Sequence, residues 1–363
     1  MNTFLHQKLS FFLQPLFGEE PDLTSITTAL ALGAVAGIAL PASARFFSWI
    51  RLHFLHQSKI SHYHHIPQPV STSSTTSALA SHSAAAKTAD TQPWALITGG
   101  SDGIGAGFVQ ELASHNFNII LHGRNPAKIS KQIASFRSQY PHLRFECWIA
   151  DATDRSAWPA AFATLFQLIK DQQIYLTVLV NNIGGNPVPD RSFTALSEYE
   201  EDEVTEIIDM NLTFPTQLTR VLLPHLMANK PSLVLNMSSA VALSPIPYLC
   251  LYAPSKAFNL QFSKTLRLEL VAEGHEEVEV LGVTAGRVKS AGSGDVEVNW
   301  LTPTSRDFAR STVRLVGCGR EEVVGWWSHG LLIWAMDVLP YWARDRILVL
   351  IAKTEKQARE KAE

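Results

Sequence analysis

The sequence is short of charge and of cysteine. Charged residues make up 17% of its 363 residues, below the figure of about a quarter that is usual for a soluble domain. The net charge of −3 excludes a general basic surface, so no nucleic-acid partner is expected. The three cysteines lie far apart without a C-x-x-C pair, and we expect neither a disulfide framework nor a metal site. With 46% apolar residues the chain is not disordered, and its low charge indicates a part that faces a membrane.

One window lacks charge completely, between Asp22 and Arg45. Its apolar part is residues 23–40, and 18 residues at about 1.5 Å each span roughly 27 Å, enough for the core of a bilayer. We therefore predict a single transmembrane helix over residues 23–44. A buried core helix and a cleaved signal peptide are the alternatives.

The two sides of this window differ in charge. Residues 1–22, the N-terminal tail, hold one lysine and three acidic residues, whereas residues 45–60 hold three basic residues and no acidic one. The positive-inside rule then places the C-terminal bulk of the chain in the cytosol. Residues 45–92 are basic at first and then rich in Ser, Thr, Ala and His, which predicts a low-complexity linker. Three histidines of this linker allow a metal cluster, but a polar tether is favoured: His62, His64 and His65.

A dinucleotide-binding pattern begins at Pro93. Residues 94–98 predict a buried strand, residues 99–105 a glycine-rich turn and residues 106–115 a helix, followed by a second strand over 117–121. Glycines in such a turn let the backbone approach a pyrophosphate, which then lies at the positive N-terminus of the helix. This βαβ unit predicts a dinucleotide cofactor.

The end of the second strand indicates which dinucleotide. An Asp or Glu at this place usually binds a free 2′-hydroxyl. The sequence has no acidic residue there and continues His122-Gly123-Arg124-Asn125. The guanidinium of Arg124 can instead meet a 2′-phosphate, because it pairs well with phosphate oxygens. We therefore predict NADPH rather than NADH.

The pattern most informative about chemistry lies further along the chain. An apolar strand over residues 233–237 ends in Ser238-Ser239, and a helix opens at Tyr252, with Lys256 one turn later. Tyrosine normally titrates near about 10, and a neighbouring ammonium lowers that pKa. Tyr252 is then expected to exchange a proton with a carbonyl or alcohol oxygen. Either serine could polarise that oxygen.

Together these motifs resemble the short-chain dehydrogenase/reductase family. The turn has the spacing T-G-x-x-x-G-I-G over residues 98–105, Asn181-Asn182-Ile183-Gly184 resembles the N-N-x-G element, and Tyr252 and Lys256 resemble the Y-x-x-x-K pair. The resemblance implies an α/β fold with a doubly wound (Rossmann) parallel sheet of about seven strands. It favours Ser239 over Ser238, because Ser239 precedes the tyrosine by thirteen residues. The implied catalytic residues are Asn211, Ser239, Tyr252 and Lys256.

The same resemblance implies further roles. Asn211 would hold a water relay to the lysine, and Asp151 would contact the adenine ring. The stretch 285–290 resembles the family's P-G-x-V-x-T segment over the nicotinamide, with alanine and serine in place of proline and threonine. The implied cofactor-binding residues are Thr98, Gly99, Ser101, Asp102, Gly103, Ile104, Gly105, Arg124, Asp151, Asn182, Gly184, Tyr252, Lys256, Val288 and Ser290.

A narrower resemblance is to the membrane-bound 17β-hydroxysteroid dehydrogenase/very-long-chain 3-oxoacyl-CoA reductase branch. It rests on W-A-L-I-T-G-G-S-D-G-I-G, H-G-R-N, Y-x-x-S-K-A-F and W-W-S-H-G-L, together with the predicted anchor. It implies an NADPH-dependent reductase in the endoplasmic reticulum membrane that acts on a lipophilic ketone or a very-long-chain 3-oxoacyl-CoA. The long helix after Tyr252 is the usual dimer face of the family, which implies a homodimer. Val241-Ala242 depart from the branch, which has glycines there.

Three other functions stay open. The enzyme could reduce a steroid or a specialised-metabolite (polyketide or terpenoid) ketone. It could oxidise a steroid or retinoid alcohol with NAD, although Arg124 argues against this cofactor. The fold could also serve as a non-catalytic lipid-binding scaffold, since a fold does not set a function, although the catalytic set is intact.

The remaining boundaries follow from composition. We predict the catalytic domain over residues 93–300 and a C-terminal helical extension over 301–363. Four of the nine tryptophans lie in residues 326–352, which equally favours an interfacial helix pair and a packed lid or subunit contact. The last residues are charged and are expected to be solvated.

Overall fold

The computed structural model describes residues 24, 27–28, 43–65, 92–187, 193–290 and 296–360. The chain divides into two units, residues 1–55 and residues 56–363. In the first unit, residues 43–50 are α-helical and Arg51–Leu55 continue as a π-helical turn. No helix among the described ranges is both long and apolar enough to span a bilayer. The predicted span, 23–44, falls almost wholly outside them and stays a prediction.

The second unit is built on one sheet of seven parallel strands in the order β3-β2-β1-β4-β5-β6-β7. The strands are β1 Trp94–Ile97, β2 Asn118–Gly123, β3 Phe145–Ile149, β4 Leu176–Asn181, β5 Ser232–Ser239, β6 Val278–Ala285 and β7 Glu322–Val324. The helices are α1 Gly103–Ser114, α2 Pro126–Gln139, α3 Trp158–Asp171, α4 Glu201–Ile208, α5 Phe214–Ala228, α6 Tyr252–Ala272, α7 Ser305–Arg314, α8 Trp327–Asp337 and α9 Tyr341–Glu360. The predicted doubly wound sheet of seven strands is confirmed.

The central strands are buried along their whole length. Every residue of β1, β2 and β4 is buried, which is why these strands are near-continuous apolar runs without alternation. The order of the strands reverses between β1 and β4, which are neighbours although two strands separate them in sequence. A crevice opens at the carboxyl ends of the strands at such a reversal, and the site lies there.

An aromatic cluster fills the core under β2 and β3. The fully buried ring of Phe214, at the start of α5, lies 5.4 Å from that of His122 and 6.0 Å from that of Trp148, between ring centres. The rings of His122 and Trp148 are 4.6 Å apart. Full burial of one such ring contributes on the order of 2–3 kcal/mol, so this cluster holds α5 firmly against the sheet.

Residues beyond the predicted boundary at 300 contribute to the same sheet and pack on its helices. Strand β7 completes the sheet by pairing with β6. Helix α7 packs so closely on α1 that a Cβ on Gly107 would lie 2.3 Å from the Ser305 carbonyl oxygen. Because these contacts join residues remote in sequence, composition along the chain does not reveal them.

Residues 56–65, inside the predicted linker, fold onto the sheet. The Lys59 amide donates to the Val316 carbonyl at 3.1 Å, and the Thr177 hydroxyl donates to the Tyr63 carbonyl at 2.9 Å. His64 and His65 place a ring nitrogen 3.0 and 3.1 Å from backbone carbonyl oxygens, so they act as hydrogen-bonding residues here. The rest of the linker, 66–91, lies outside the described residues.

Candidate active site

The glycine-rich turn joins β1 to α1. Gly99 and Gly103 have φ of +64° and +53°, the left-handed region that favours glycine. A Cβ on Gly105 would lie 2.1 Å from the Gly99 carbonyl oxygen, so the turn can pass over the helix only without a side chain there. The Asp102 carboxylate accepts from the Gly103 amide at 2.6 Å and caps α1. The turn therefore presents the N-terminus of α1 to the crevice.

Thr98 and Asn182 tie the ends of β1 and β4 together. The Thr98 hydroxyl oxygen accepts from the amides of Asn182 and Ile183 at 2.9 and 3.0 Å. The Asn182 side chain donates back to the Thr98 carbonyl at 2.9 Å. These bonds hold the Asn-Asn-Ile-Gly segment beside the glycine-rich turn.

Asn211 lies in a π-helical turn, Asp209–Thr213, between α4 and α5. Its side chain is fully buried. Its Oδ1 accepts from the Gly185 amide at 2.9 Å, and its Nδ2 donates to the Gly185 carbonyl at 2.7 Å. The extra residue of a π turn, a feature frequent at functional sites, aims Asn211 at the loop after β4. Asn211 therefore holds the loop after β4 in place through its two hydrogen bonds with the Gly185 backbone.

Lys256 is buried on the first turns of α6. Its Nζ donates to the Met237 carbonyl at 3.4 Å. Loss of hydration lowers its pKa from 10.5 to about 8. The Asn259 side chain, one turn later, donates to the carbonyls of Asn211 at 3.2 Å and of Met237 at 3.4 Å. Asn259 thus joins α6, β5 and the π turn.

The structure separates the roles of the two serines at the end of β5. The Ser238 hydroxyl donates to the Lys256 carbonyl at 2.6 Å and so holds α6 against the strand. Ser239 Oγ instead accepts from the Val241 amide at 3.5 Å, and Ser239 lines the same cavity as Tyr252. The Ser239 hydroxyl is therefore available beside Tyr252, whereas the Ser238 hydroxyl is already bonded to a backbone carbonyl of the protein.

The pKa of Tyr252 differs from the expectation. Burial raises it above its usual value of 10.0, and the hydrogen bond with Ser239 only partly offsets this. The Lys256 ammonium lies 5.6 Å from the centre of the tyrosine ring. The direction is opposite to the predicted lowering, because desolvation of the phenolate is the largest effect on this pKa.

A cavity of about 320 Å³ joins these groups. Ten residues predicted from the sequence line it: Gly99, Asp102, Gly103, Ile104, Asn182, Gly184, Ser239, Tyr252, Lys256 and Ser290. The lining residues that the sequence analysis did not single out are Ile183, Met237, Ala285 and Gly286, with Ser238 as the rival serine. These are neighbours of predicted residues at the ends of β4, β5 and β6.

The other predicted residues surround this cavity without lining it. Thr98, Gly105 and Asn211 support its walls by the contacts given above. Val288 is buried in the stretch that leads to Ser290. The last three predicted residues lie near the ends of β2 and β3, which pair in the sheet: Ser101, Arg124 and Asp151.

Asp151 and Arg124 differ in how they are held near these strand ends. Asp151 Oδ1 accepts from the amide and the hydroxyl of Thr153, both at 2.9 Å, which orients its carboxylate. Arg124 is exposed directly after β2, where its guanidinium is accessible to a ligand. A Cβ on Gly123 would lie 3.4 Å from the Ser101 hydroxyl, so Ser101 lies close to this strand end.

Comparison with known proteins agrees with this geometry. The profile of the short chain dehydrogenase family matches residues 93–299, more than half of the chain. The chain belongs to the short-chain dehydrogenase/reductase family. The very-long-chain 3-oxoacyl-CoA reductase of Neurospora crassa is 31% identical to it, over 67% of this chain and 72% of that protein. The inactive hydroxysteroid dehydrogenase-like protein 1 of Pongo abelii is 30% identical, over 69% and 73%.

A solved structure of the family shares the fold. The short-chain dehydrogenase from Sphingobium yanoikuyae, in complex with NADPH, superposes with a TM-score of 0.53 at 23% identity, over 69% of this chain and 97% of that chain. At this identity the likeness concerns the fold. The side chains that would carry an oxidoreductase reaction are those of this chain's own cavity.

A second cavity, of about 210 Å³, shares Tyr252 with the first. Its wall is mainly apolar and is formed by Phe193, Tyr199, Ile207, Leu249 and Leu251. Arg359, near the end of α9, also lines it. Arg359 is exposed, as the prediction of a solvated C-terminus expects, and tertiary contacts also place it at this cavity.

Proposed function

We propose that the protein is an NADPH-dependent ketoreductase that reduces a keto group on a lipophilic substrate, and that this substrate is a very-long-chain 3-oxoacyl-CoA. The proposed reaction type rests on one observation. Ser239, Tyr252 and Lys256 line the same cavity as the glycine-rich turn at the start of α1. A proton donor, a polarising hydroxyl and a dinucleotide cradle therefore meet at one place.

The residues present fit a dinucleotide. The turn has glycines where a Cβ would meet backbone, and the N-terminus of α1 faces the cavity, as a pyrophosphate requires. Asp102 and Gly103 would border the pyrophosphate at the N-terminus of α1, Ser290 would lie near the nicotinamide, and Asp151 near the adenine. When bound, the reduced nicotinamide supplies the hydride. Every other step falls to side chains of this chain.

Tyr252 is the proton donor in this proposal. Because burial raises its pKa, the phenol keeps its proton at neutral pH and can give it to the carbonyl oxygen of the substrate. Ser239 donates a hydrogen bond to the same oxygen and stabilises the developing negative charge. The Lys256 ammonium, with a pKa of about 8, is close to its own titration and can resupply the proton.

Arg124 supports NADPH over NADH. It is an exposed cation at the end of β2, and no acidic residue stands at that strand end to bind a free 2′-hydroxyl. The relative from Sphingobium yanoikuyae was solved with NADPH. Dissociation constants of NADPH and NADH, measured with Arg124→Leu beside the unchanged protein, test this. We expect the variant to lose NADPH affinity about tenfold or more, and equal losses for both cofactors would contradict the role.

The substrate class rests on the apolar second cavity beside Tyr252 and on the names of the reductases that the chain resembles. The test is NADPH consumption with 3-oxoacyl-CoAs of increasing chain length and with ring ketones. We expect activity that rises with acyl length and that Tyr252→Phe lowers by about 100-fold or more, because a general acid contributes about that much. Activity confined to ring ketones would move the enzyme to steroid or specialised metabolism.

A relative named inactive keeps the non-catalytic alternative in view. This chain has all four implied catalytic residues, and its serine, tyrosine and lysine meet in one cavity. NADPH binding without turnover of any ketone in the panel would favour a lipid-binding scaffold on this fold.

We also propose that the protein is anchored in the endoplasmic reticulum membrane by a single pass, with its catalytic domain in the cytosol, and that it forms a homodimer through α6. The support for the anchor is the charge-free window before Arg45 and the basic residues after it. Protease protection of intact microsomes tests the orientation. Digestion of the catalytic domain without detergent is the expected result, and protection would contradict it.

A further inference from the structure

The end of α9 is held at the active site by an ion pair. Glu355 pairs with Arg287 at 2.6 Å, and Arg287 lies directly before Val288 in the stretch that leads to Ser290. This contact links the last turns of α9 to the segment beside the first cavity. The last turns of α9 therefore lie beside a segment that borders the first cavity.

Two cations lie on these last turns, Arg359 in the lining of the second cavity and Lys356 beside it. Lys356 Nζ lies 4.9 Å from the centre of the Tyr248 ring, next to the lining residue Leu249. The Arg359 guanidinium lies 5.4 Å from the centre of the Phe193 ring and lines the cavity. Positions 356 and 359 are three apart and share one side of the helix. In the part of the chain that the structure covers, neither cation pairs with a carboxylate.

The cavity therefore combines an apolar wall, the catalytic tyrosine and a cationic edge. The Arg359 guanidinium lines the cavity and is also exposed, so it stands at the edge of the apolar wall, where a ligand can reach it. A substrate with an apolar chain and an anionic head satisfies both parts of the lining. Guanidinium groups bind phosphate and carboxylate oxygens through paired, charge-assisted hydrogen bonds.

We propose that Arg359, assisted by Lys356, is the residue that recognises the anionic head group of the substrate, a phosphate or a carboxylate. The apolar wall takes the acyl chain, and α9 takes the head group, so that the keto group is held between them at Tyr252. This inference rests on the proposed ketoreductase function. It adds that the substrate has an anionic head group and that α9 binds it.

The test uses the full-length protein in detergent and substrates that share one acyl chain. They are the 3-oxoacyl-CoA, the neutral N-acetylcysteamine thioester and the free 3-oxo acid. The variants are Arg359→Gln, Arg359→Lys and Lys356→Gln, and Lys353→Gln is the matched control, an exposed cation of the same helix that does not line the cavity. NADPH affinity reports whether each variant is folded.

We expect Arg359→Gln to raise the KM for the CoA thioester, relative to that for the neutral thioester, by about tenfold, which is what loss of about 1.4 kcal/mol produces. Arg359→Lys restores part of this ratio, and Lys353→Gln leaves it unchanged. The effect weakens at high salt, because exposed charges are screened. If Arg359→Gln raises the KM only for the CoA thioester, relative to the neutral thioester, Arg359 recognises the phosphates. If it raises the KM for the free acid equally, Arg359 recognises a carboxylate-sized anion.

Three results would overturn the proposal. If Arg359→Gln raised the KM equally for the charged and the neutral thioester, Arg359 would be only a part of the cavity wall. If Lys353→Gln changed the KM ratio as much as Arg359→Gln does, the effect would come from the overall positive charge of α9 and not from Arg359. Absence of Tyr252-dependent turnover of any thioester by the unchanged protein would overturn the proposed function itself, a result distinct from a selective loss in the variant.

Discussion

Gly184 offers a sharp test of the position of Lys256. A Cβ on Gly184 would lie 2.4 Å from Lys256 Nζ and 2.8 Å from Asn211 Oδ1. Ordinary van der Waals contact begins at 3.4 Å, so Gly184→Ala must displace the ammonium by about 1 Å. The end of a lysine side chain moves easily, and we therefore expect a loss of activity rather than of folding.

The size of the loss follows from this displacement. A misplacement of about 1 Å in a catalytic group costs about 100-fold in rate, or about 2.7 kcal/mol of transition-state stabilisation. Gly185→Ala is the matched control. Gly184 and Gly185 have φ of +154° and +133°, so alanine is strained at both, by about 1–3 kcal/mol, but a Cβ on Gly185 meets nothing within 4 Å.

The assay is NADPH oxidation with a saturating 3-oxoacyl-CoA, together with the melting temperature of each variant. We expect similar melting temperatures for the two variants and a kcat about 100-fold lower for Gly184→Ala than for Gly185→Ala. Equal kcat values would refute the reasoning, because they would show that the place of the ammonium is not limited by Gly184.

Two further predictions concern pH. Burial lowers the pKa of Lys256 to about 8, so the lysine loses its proton as pH rises through that value; kcat/KM for reduction should fall above about pH 8, and a profile flat to about pH 10 would contradict this. Burial lowers the pKa of His122 from 6.5 to about 4. Between pH 6.5 and pH 4, His122 is therefore protonated in the unfolded chain but stays neutral in the folded chain. The free energy of unfolding should therefore fall by about 1.4 kcal/mol per pH unit from 6.5 toward 4, by up to about 3 kcal/mol. Denaturant unfolding of His122→Phe beside the unchanged protein checks this, and an identical acid slope in both would assign the loss to other groups.

Several parts of the site could be predicted because they are local. The glycine spacing after β1 and the four-residue step from Tyr252 to Lys256 depend only on turn and helix geometry, and ten of the predicted residues do line one cavity. The preference for Ser239 rested on spacing alone. The contact that distinguishes it, the bond from Ser238 to the Lys256 carbonyl, joins residues eighteen apart and is not visible in the sequence.

Other expectations failed where burial decided the outcome. The sequence places an ammonium one turn from Tyr252, and that proximity predicts a lowered pKa. In the folded chain desolvation is the larger effect and raises it. The low-complexity stretch after residue 55 showed no periodicity, yet Tyr63 is buried and bonded to Glu279, more than 200 residues away. Asn259 likewise gained its position only through contacts with β5 and the π turn.

By itself, the sequence determined the family, the parallel sheet and the order of the catalytic groups, because periodicity and motif spacing follow from backbone geometry within each element. Tertiary structure alone decided how strongly each group is desolvated and which distant segments meet. It places Arg359 in the lining of a cavity shared with Tyr252, more than 100 residues away along the chain. Such contacts depend on packing between elements, and no pattern along the chain records it.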